Sequence, residues 1–455
     1  MMARMTTAAP HNEPGDPAGK LPAESGLRRD ITRLGFGAIS LNGVIGAGIF
    51  ALPAVAAAAT GLFSPWLFVI CGLLIMTVVL SFARCASYFS DTGGPLAYVG
   101  HAFGPFAGFQ VGWLFTLSRI TGMAANTNLL VTYLGWFWEP LASGLTRQVV
   151  ISLMVLLLVV VNVIGVRRGV LTMFVFTLLK LIPLSLLVLL GLSWLNPQVL
   201  TAPGLPVFDG LGDTILVLLY AFVGFESAVI PAGEARQPHR DIPRALVQSV
   251  VAVGILYVLV QWVVISVDPA IGGSATPLID VAKILMGSAG AALMAAGAAF
   301  SISGNIAAMM LSGPRMVYAM GRQKMLPQWF GAVHAYYGTP ANAIIFIGVM
   351  GLGLALSGTF IWLAAMTTVV RLMVYAACII SLPRLHRTVH TVEPPFKLPG
   401  GYTIPVIALA LTGWLLSHAS SQSWKLTGIF MALGAIFYVT TQRADRPKKR
   451  LRSND

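Results

Sequence analysis

Apolar runs of membrane-crossing length follow one another along nearly the whole chain, at about 34–59, 65–88, 106–135, 148–166, 170–193, 211–232, 244–266, 283–312, 341–357, 360–382, 403–419 and 425–441. A helix of roughly 20 such residues crosses the hydrocarbon layer of a bilayer. The pattern therefore predicts an all-α polytopic membrane protein with about 12 transmembrane helices. Around 275–320 it fits either one long kinked helix or two shorter pieces.

Charge orients the bundle. With the amino terminus in the cytoplasm, 23 of the 29 Lys and Arg residues fall in the tails and the even-numbered connections. Only Arg147, Lys283 and Lys425 fall on the other side, while Arg119, Lys180 and Arg371 lie within spans. This is the positive-inside distribution of a multi-pass protein of the cell (inner) membrane with both termini cytoplasmic. The net charge of +13 thus reports topology, and there is no soluble basic domain to bind nucleic acid. Composition agrees: 56% hydrophobic and 10% charged residues exceed what one globular core requires. Residues 1–30 read as a disordered cytoplasmic tail without the apolar core of a cleavable signal, and 442–455 as a basic cytoplasmic tail. Cys71, Cys85 and Cys378 are too few and scattered for a disulfide framework or a metal site.

The first span carries an anomaly. Gly43, Gly46 and Gly48 stand in the middle of a membrane-length helix, each costing about 1 kcal/mol against alanine. Pro53 follows before the run ends. A helix broken in lipid is tolerated where its freed backbone groups line a cavity or meet protein partners. The break therefore reads as the wall of a polar site near the bilayer midplane. Aligning Pro53 with Pro231 lays this span on the sixth, so that Gly46 corresponds to Gly224 and Gly48 to Glu226. The segment Tyr220–Glu226 becomes a second interrupted helix, and matching breaks in two halves point to a transporter site.

Four segments resemble the amino acid, polyamine and organocation (APC) superfamily of secondary transporters, over roughly residues 30–440. They are Gly43–Phe50; Asp91–Tyr98 with Ala102–Pro105; Gly224–Glu226 continuing into Glu234–Ala245; and Arg315–Met320 leading to Leu326-Pro327 and Gly338–Pro340. Where many relatives carry an acid before the Leu-Pro pair, this chain reads Arg322-Gln323-Lys324-Met325, which removes any gate contact that depends on that acid.

The resemblance implies a 5+5 inverted repeat of the LeuT type, with residues 31–195 and 205–385 as the two five-helix halves and 400–441 as two additional helices. It also implies an amino acid bound between broken helices 1 and 6. Helix starts offer free N–H groups and a positive dipole end to a carboxylate, and broken carbonyls accept from an ammonium. Carried onto this chain, the substrate site comprises Ile45, Gly46, Ala47, Gly48 and Ile49 in span 1, and Tyr220, Ala221, Phe222 and Val223 in span 6. Tyr220 is either an aromatic gate or a packing residue.

Ionisable groups at membrane depth are functional candidates by default. Lys180 lies mid-span 5, where proton-coupled relatives hold a lysine in place of sodium; it is either a proton-coupling group or a fixed ammonium bonded to the span 1 break. Glu226 is either a second proton-coupling group or a paired structural acid. Arg119, in span 3, requires an anion, either Glu226 or an acidic substrate side chain. Arg371 in span 10 reads as structurally paired. Asn305, in span 8, either borders the substrate side chain or joins two helices.

The function expected is proton-coupled symport of a small neutral amino acid by alternating access, with no metal and no cofactor beyond the proton. Ala47, Ala221 and Val223 are the basis for the small neutral side chain. An amino acid exchanger is the alternative, and a non-transporting amino acid sensor the alternative from another class. An enzyme is disfavoured, since the seven histidines show no metal-ligand spacing and no nucleophile motif accompanies them.

Overall fold

The computed structural model describes residues 32–89, 93–141, 143–165, 170–201, 204, 209–230, 232, 235, 237–389, 396–398 and 400–444, with backbone alone at 34 and 170–178. Both expected tails, save 442–444 of the second, lie outside these residues, as do Pro231, Asp91, Thr92, Glu234 and Arg236 of the motifs.

Every regular element among the described residues is helical. Span 1 is split into α1 (Arg33–Val44) and α2 (Gly48–Thr60). There follow α3 (Ser64–Ala86), α4 (Pro95–Phe103), α5 (Pro105–Leu134), α6 (Gly144–Ile164), α7 (Val170–Gly191) and the single turn α8 (Gln198–Thr201). Span 6 is α9 (Leu211–Leu218) with two 3-10 turns, Leu219–Ala221 and Phe225–Val229. The remainder are α10 (Pro238–Val267), α11 (Pro277–Arg322), α12 (Ala341–Ser357), α13 (Phe360–Thr388), α14 (Thr403–Ser417) and α15 (Ser421–Ala444). All twelve expected spans thus fall on helical segments. Seven helical stretches among the described residues are long and apolar enough to cross a membrane, one of them running from α2 through α3 and one made up of the interrupted span 6.

Two elements depart from the apolar pattern. The connection between spans 2 and 3 contains α4, started by Gly94 at φ 52° and Pro95 in its first turn. It buries Tyr98, Val99 and Ala102 but exposes His101 and Phe103, so nine residues with one apolar face escape a search for membrane-length runs. The ambiguity around 275–320 resolves as two helical pieces joined at Gly287, whose φ of 65° and ψ of −161° few other residues tolerate. The first piece starts at Pro277, so Lys283 belongs to that arm and not to span 8.

The arrangement follows from which helices tolerate lipid. α6 exposes Leu145, Val149, Leu153, Leu156, Val160 and Ile164, a continuous stripe at helical spacing that fits acyl chains. α5 is the opposite case, buried for most of its length although it carries Arg119, Asn126 and Asn128. Thr116, Thr121 and Thr127 return their hydroxyls to carbonyls one turn back on the same helix, which lets a polar helix sit inside the bundle. α5 packs along α11 and α13, while α3 and α1 pack along α10. α15 lies outside, held where Trp113 stacks on Phe430 at 4.4 Å and donates its indole N–H to the Phe430 carbonyl at 2.7 Å.

Candidate functional site

The two broken helices meet at the centre of the bundle. A Cβ on Gly43 would sit 2.5 Å from the carbonyl oxygen of Gly224, and one on Gly224, at φ 118°, would sit 2.2 Å from that of Gly43. A Cβ on Gly48 would lie 2.6 Å from Cα of Ala221. Backbone therefore lies against backbone, and the ascending numbers in span 1 meet descending numbers in span 6, so the two breaks run antiparallel past each other.

Their unpaired groups divide cleanly. α1 ends with the Ile45 N–H donating to Leu41 O at 2.9 Å, after which the chain leaves helical geometry. The carbonyls beyond are taken by side chains from elsewhere in the bundle. Lys180 Nζ donates to Ile45 O at 2.6 Å and to Asn42 O at 3.1 Å. Asn305 Nδ2 donates to Gly43 O at 3.2 Å, and the Tyr257 hydroxyl to Val44 O at 3.3 Å. The N–H groups of Gly46, Ala47, Gly48 and Ile49 donate to no described residue. Pro53 is accommodated inside α2, and its carbonyl accepts from Gln261. In span 6 the carbonyls of Tyr220, Ala221, Phe222 and Val223 accept from no described residue. Free donors at a helix start thus face free acceptors at a helix break, the pairing an α-carboxylate and α-ammonium require.

A polar chain joins the walls. The Tyr220 hydroxyl donates to Asn126 Oδ1 at 2.6 Å, and Asn126 Nδ2 donates to Asn305 Oδ1 at 2.8 Å. With the Asn305 contact to α1, this links spans 6, 3, 8 and 1. The Tyr220 ring also meets Phe360 edge-on at 5.8 Å.

Beside it lies a cluster of buried charge. Glu226 pairs with Arg371 Nη1 at 3.1 Å and stands 4.0 Å from Arg119 Nη2. Its Oε2 accepts from the Tyr375 hydroxyl at 2.7 Å and the Gly224 N–H at 3.0 Å. Arg119 donates to the Ser227 hydroxyl at 3.1 Å and lies over the Phe115 ring. Among the described residues the Nε atoms of Arg119 and Arg371 have no hydrogen-bond partner, and neither has Glu226 Oε1, whose approach to Arg371 lacks hydrogen-bond angles.

Of the residues expected at the site, Gly46, Ala47, Gly48, Tyr220, Val223 and Asn305 line one central cavity, together with Gly43, Val44, Asn126, Met309 and Arg371. The other anticipated residues lie around it. Ile45 and Ile49 face the core with their side chains, Ala221 backs onto Gly48, and Phe222 meets Tyr257 edge-on at 5.3 Å away from the cavity. Arg119 sits behind Glu226, and Lys180 on the far side of the span 1 break. Asn126 and Met309 are not among the residues expected from the sequence, although a polar residue about two helical turns beyond Arg119 on the same span is a usable signal. The cavity measures only about 10 Å³, the scale of one water, so admitting a substrate requires the walls to part. A larger cavity of about 430 Å³, lined by Asn128, Thr132, Arg147 and Phe360, lies beyond the Tyr220–Phe360 pair toward the α5–α6 connection.

Fold and cavity together describe an integral membrane protein with a closed central cavity between two interrupted helices. A family model described as amino acid permease matches residues 31–444, and the chain belongs to that family, within the APC superfamily. Three proteins of Bacillus subtilis are similar over almost the whole chain. A serine/threonine exchanger is 26% identical over 429 residues, 90% of this chain and 95% of its own length. A methylthioribose transporter is 23% identical over 442 residues, covering 91% and 92%, and a glutamate/serine transporter is 27% identical over 405 residues, covering 80% and 73%.

Proposed function

We propose that this permease imports a small amino acid across the cell (inner) membrane by alternating access, driven by the proton gradient, with both termini in the cytoplasm. One observation carries the reading: unpartnered N–H groups at the start of α2 face unpartnered carbonyls in span 6 within one buried cavity. An α-amino acid matches that arrangement through its backbone alone. Two of the three relatives described above are named for amino acids, which supports the same class. The orientation rests on cations gathered at the end where α1 begins, among them Arg33, Arg84, Arg240, Arg315 and Arg384, against Arg147, Lys283 and Lys425 at the other.

Lys180 is the proposed proton carrier. It is fully buried and, among the described residues, bonds only to carbonyls of the span 1 break, with no carboxylate within ion-pair distance. Loss of its proton would loosen that break and gain would tighten it, which ties protonation to the groups that hold the substrate. Glu226 is the second titratable group in this reading, since its protonation would release Arg371 from their ion pair.

Purified protein in liposomes, given a panel of radiolabelled amino acids with and without an inward proton gradient, tests the proposal. Gradient-dependent accumulation of one or more of them supports it. Strict one-for-one exchange indifferent to the gradient would replace it with an exchanger, and movement of no amino acid would sink it.

A further inference from the structure

The charged side chains buried among the described residues are four: Arg119, Lys180, Glu226 and Arg371. Three are basic and one is acidic. Even with Lys180 deprotonated, the cluster beside the cavity holds two guanidiniums against one carboxylate. Burying an unbalanced charge costs several kcal/mol, and such a charge calls for a partner of opposite sign. An amino acid with a neutral side chain brings a carboxylate and an ammonium together, so it leaves the surplus as it was.

Arg371 is the group placed to meet an additional anion. It is 1% exposed and borders the cavity alongside Asn126, Tyr220, Asn305 and Met309, and its Nε atom is unpartnered. Glu226 engages only Nη1 of its guanidinium among the carboxylates, which leaves an edge of the fork free. Arg119 stands on the other side of Glu226 and helps to balance it, so Arg371 need not be consumed by that pair. The planar guanidinium matches a second carboxylate.

We infer that the substrate carries an acidic side chain, an aspartate- or glutamate-like amino acid whose second carboxylate is received by Arg371 with Glu226 and Arg119 setting the guanidinium's position. This rests on the amino acid reading above and replaces the neutral side chain expected from Ala47, Ala221 and Val223, which border the substrate's backbone.

The test uses the full-length protein in proteoliposomes with L-aspartate and L-glutamate against their neutral isosteres L-asparagine and L-glutamine. A site built for a charged group discriminates strongly against an analogue lacking it, so transport efficiency is expected to favour the acids by about 10- to 100-fold. Arg371→Gln should bring that ratio to about one. Because this variant disturbs a buried pair, thermal stabilisation of the unaltered protein is measured as well, and the two acids should raise its melting temperature more than the two amides. Equal use of acids and amides, or preference for the amides, overturns the inference while leaving amino acid transport standing. Preference for the amides only when chloride is present assigns the surplus charge to an inorganic anion and overturns it too. If none of the four binds or moves but another amino acid does, the inference falls alone; if no amino acid moves, the transport reading falls with it.

Discussion

The coupling role proposed for Lys180 and its structural role rest on the same two contacts, so two substitutions separate them. Lys180→Met keeps the length and bulk of the stem but removes every donor. The carbonyls of Ile45 and Asn42 then lose contacts of 2.6 and 3.1 Å. Asn42 O retains a weak contact from Asn305 at 3.4 Å, so the loss falls mainly on Ile45. An orphaned buried polar group costs about 1–3 kcal/mol, which sets the destabilisation at about 2–5 kcal/mol for the two together. A thermal or denaturant midpoint in detergent, followed by fluorescence, reads this directly. Lys180→Arg instead keeps cationic donors that do not release a proton at physiological pH, at about 1–3 kcal/mol for the larger side chain. The expected result in proteoliposomes is that this variant still exchanges internal for external substrate but does not accumulate it against a gradient. Accumulation by Lys180→Arg at the unaltered protein's level would refute the coupling role. A Lys180→Met protein as stable as the parent would refute the structural one, whatever its transport.

Three further outcomes follow from the packing. Gly224→Ala forces a side chain into positive φ and into the Gly43 carbonyl, so binding and uptake should fall more than tenfold; wild-type uptake would show that the two breaks are not held in contact. Tyr220→Phe removes the 2.6 Å bond to Asn126 while keeping the ring against Phe360, and should raise KM by about 3- to 10-fold with little change in maximal rate, the mark of a lost binding contact. Gly434→Val drives a branched side chain into the Trp113 indole, 2.3 Å from where the first carbon would stand, and should lower the melting temperature by several degrees as α15 is displaced. Equal stability of that variant would mean α15 is not anchored there.

The break in span 1 was legible because its causes are local: three glycines within six residues cannot be an economical helix in any context. The lysine was legible for a similar reason, since an ammonium in an apolar run needs a partner. The pairing of Glu226 with Arg371 was not, because the two lie 145 residues apart and three basic residues within spans compete for one mid-span acid. Arg119 stood as one candidate partner of Glu226, yet it lies at 4.0 Å where Arg371 lies at 3.1 Å. The Tyr220–Asn126–Asn305 chain was hidden in the same way, since amide side chains show no sequence periodicity when they bond across three helices. Gly287 and α4 were missed as boundaries because hydropathy registers apolar length and is blind to a single left-handed residue or a nine-residue amphipathic turn.

The division of the freed backbone groups bears on why one site can both bind and move its cargo. Side chains satisfy the carbonyls of the span 1 break, whereas its N–H groups and the span 6 carbonyls have no partner among the described residues and are the groups proposed to meet the substrate. Were all of them satisfied internally, the breaks would be rigid and indifferent to substrate. Were none satisfied, the empty bundle would carry several orphaned groups at about 1–3 kcal/mol each and would not hold its shape. Lys180 and Asn305 sit at the boundary between these extremes, each bonding carbonyls of α1 from another helix, Asn305 also touching the cavity. In the proposed mechanism a proton leaving Lys180 would weaken one side of the break and a substrate carboxylate would strengthen the other. Both therefore act on the same three residues, Ile45 to Ala47, where α1 and α2 are free to change their angle.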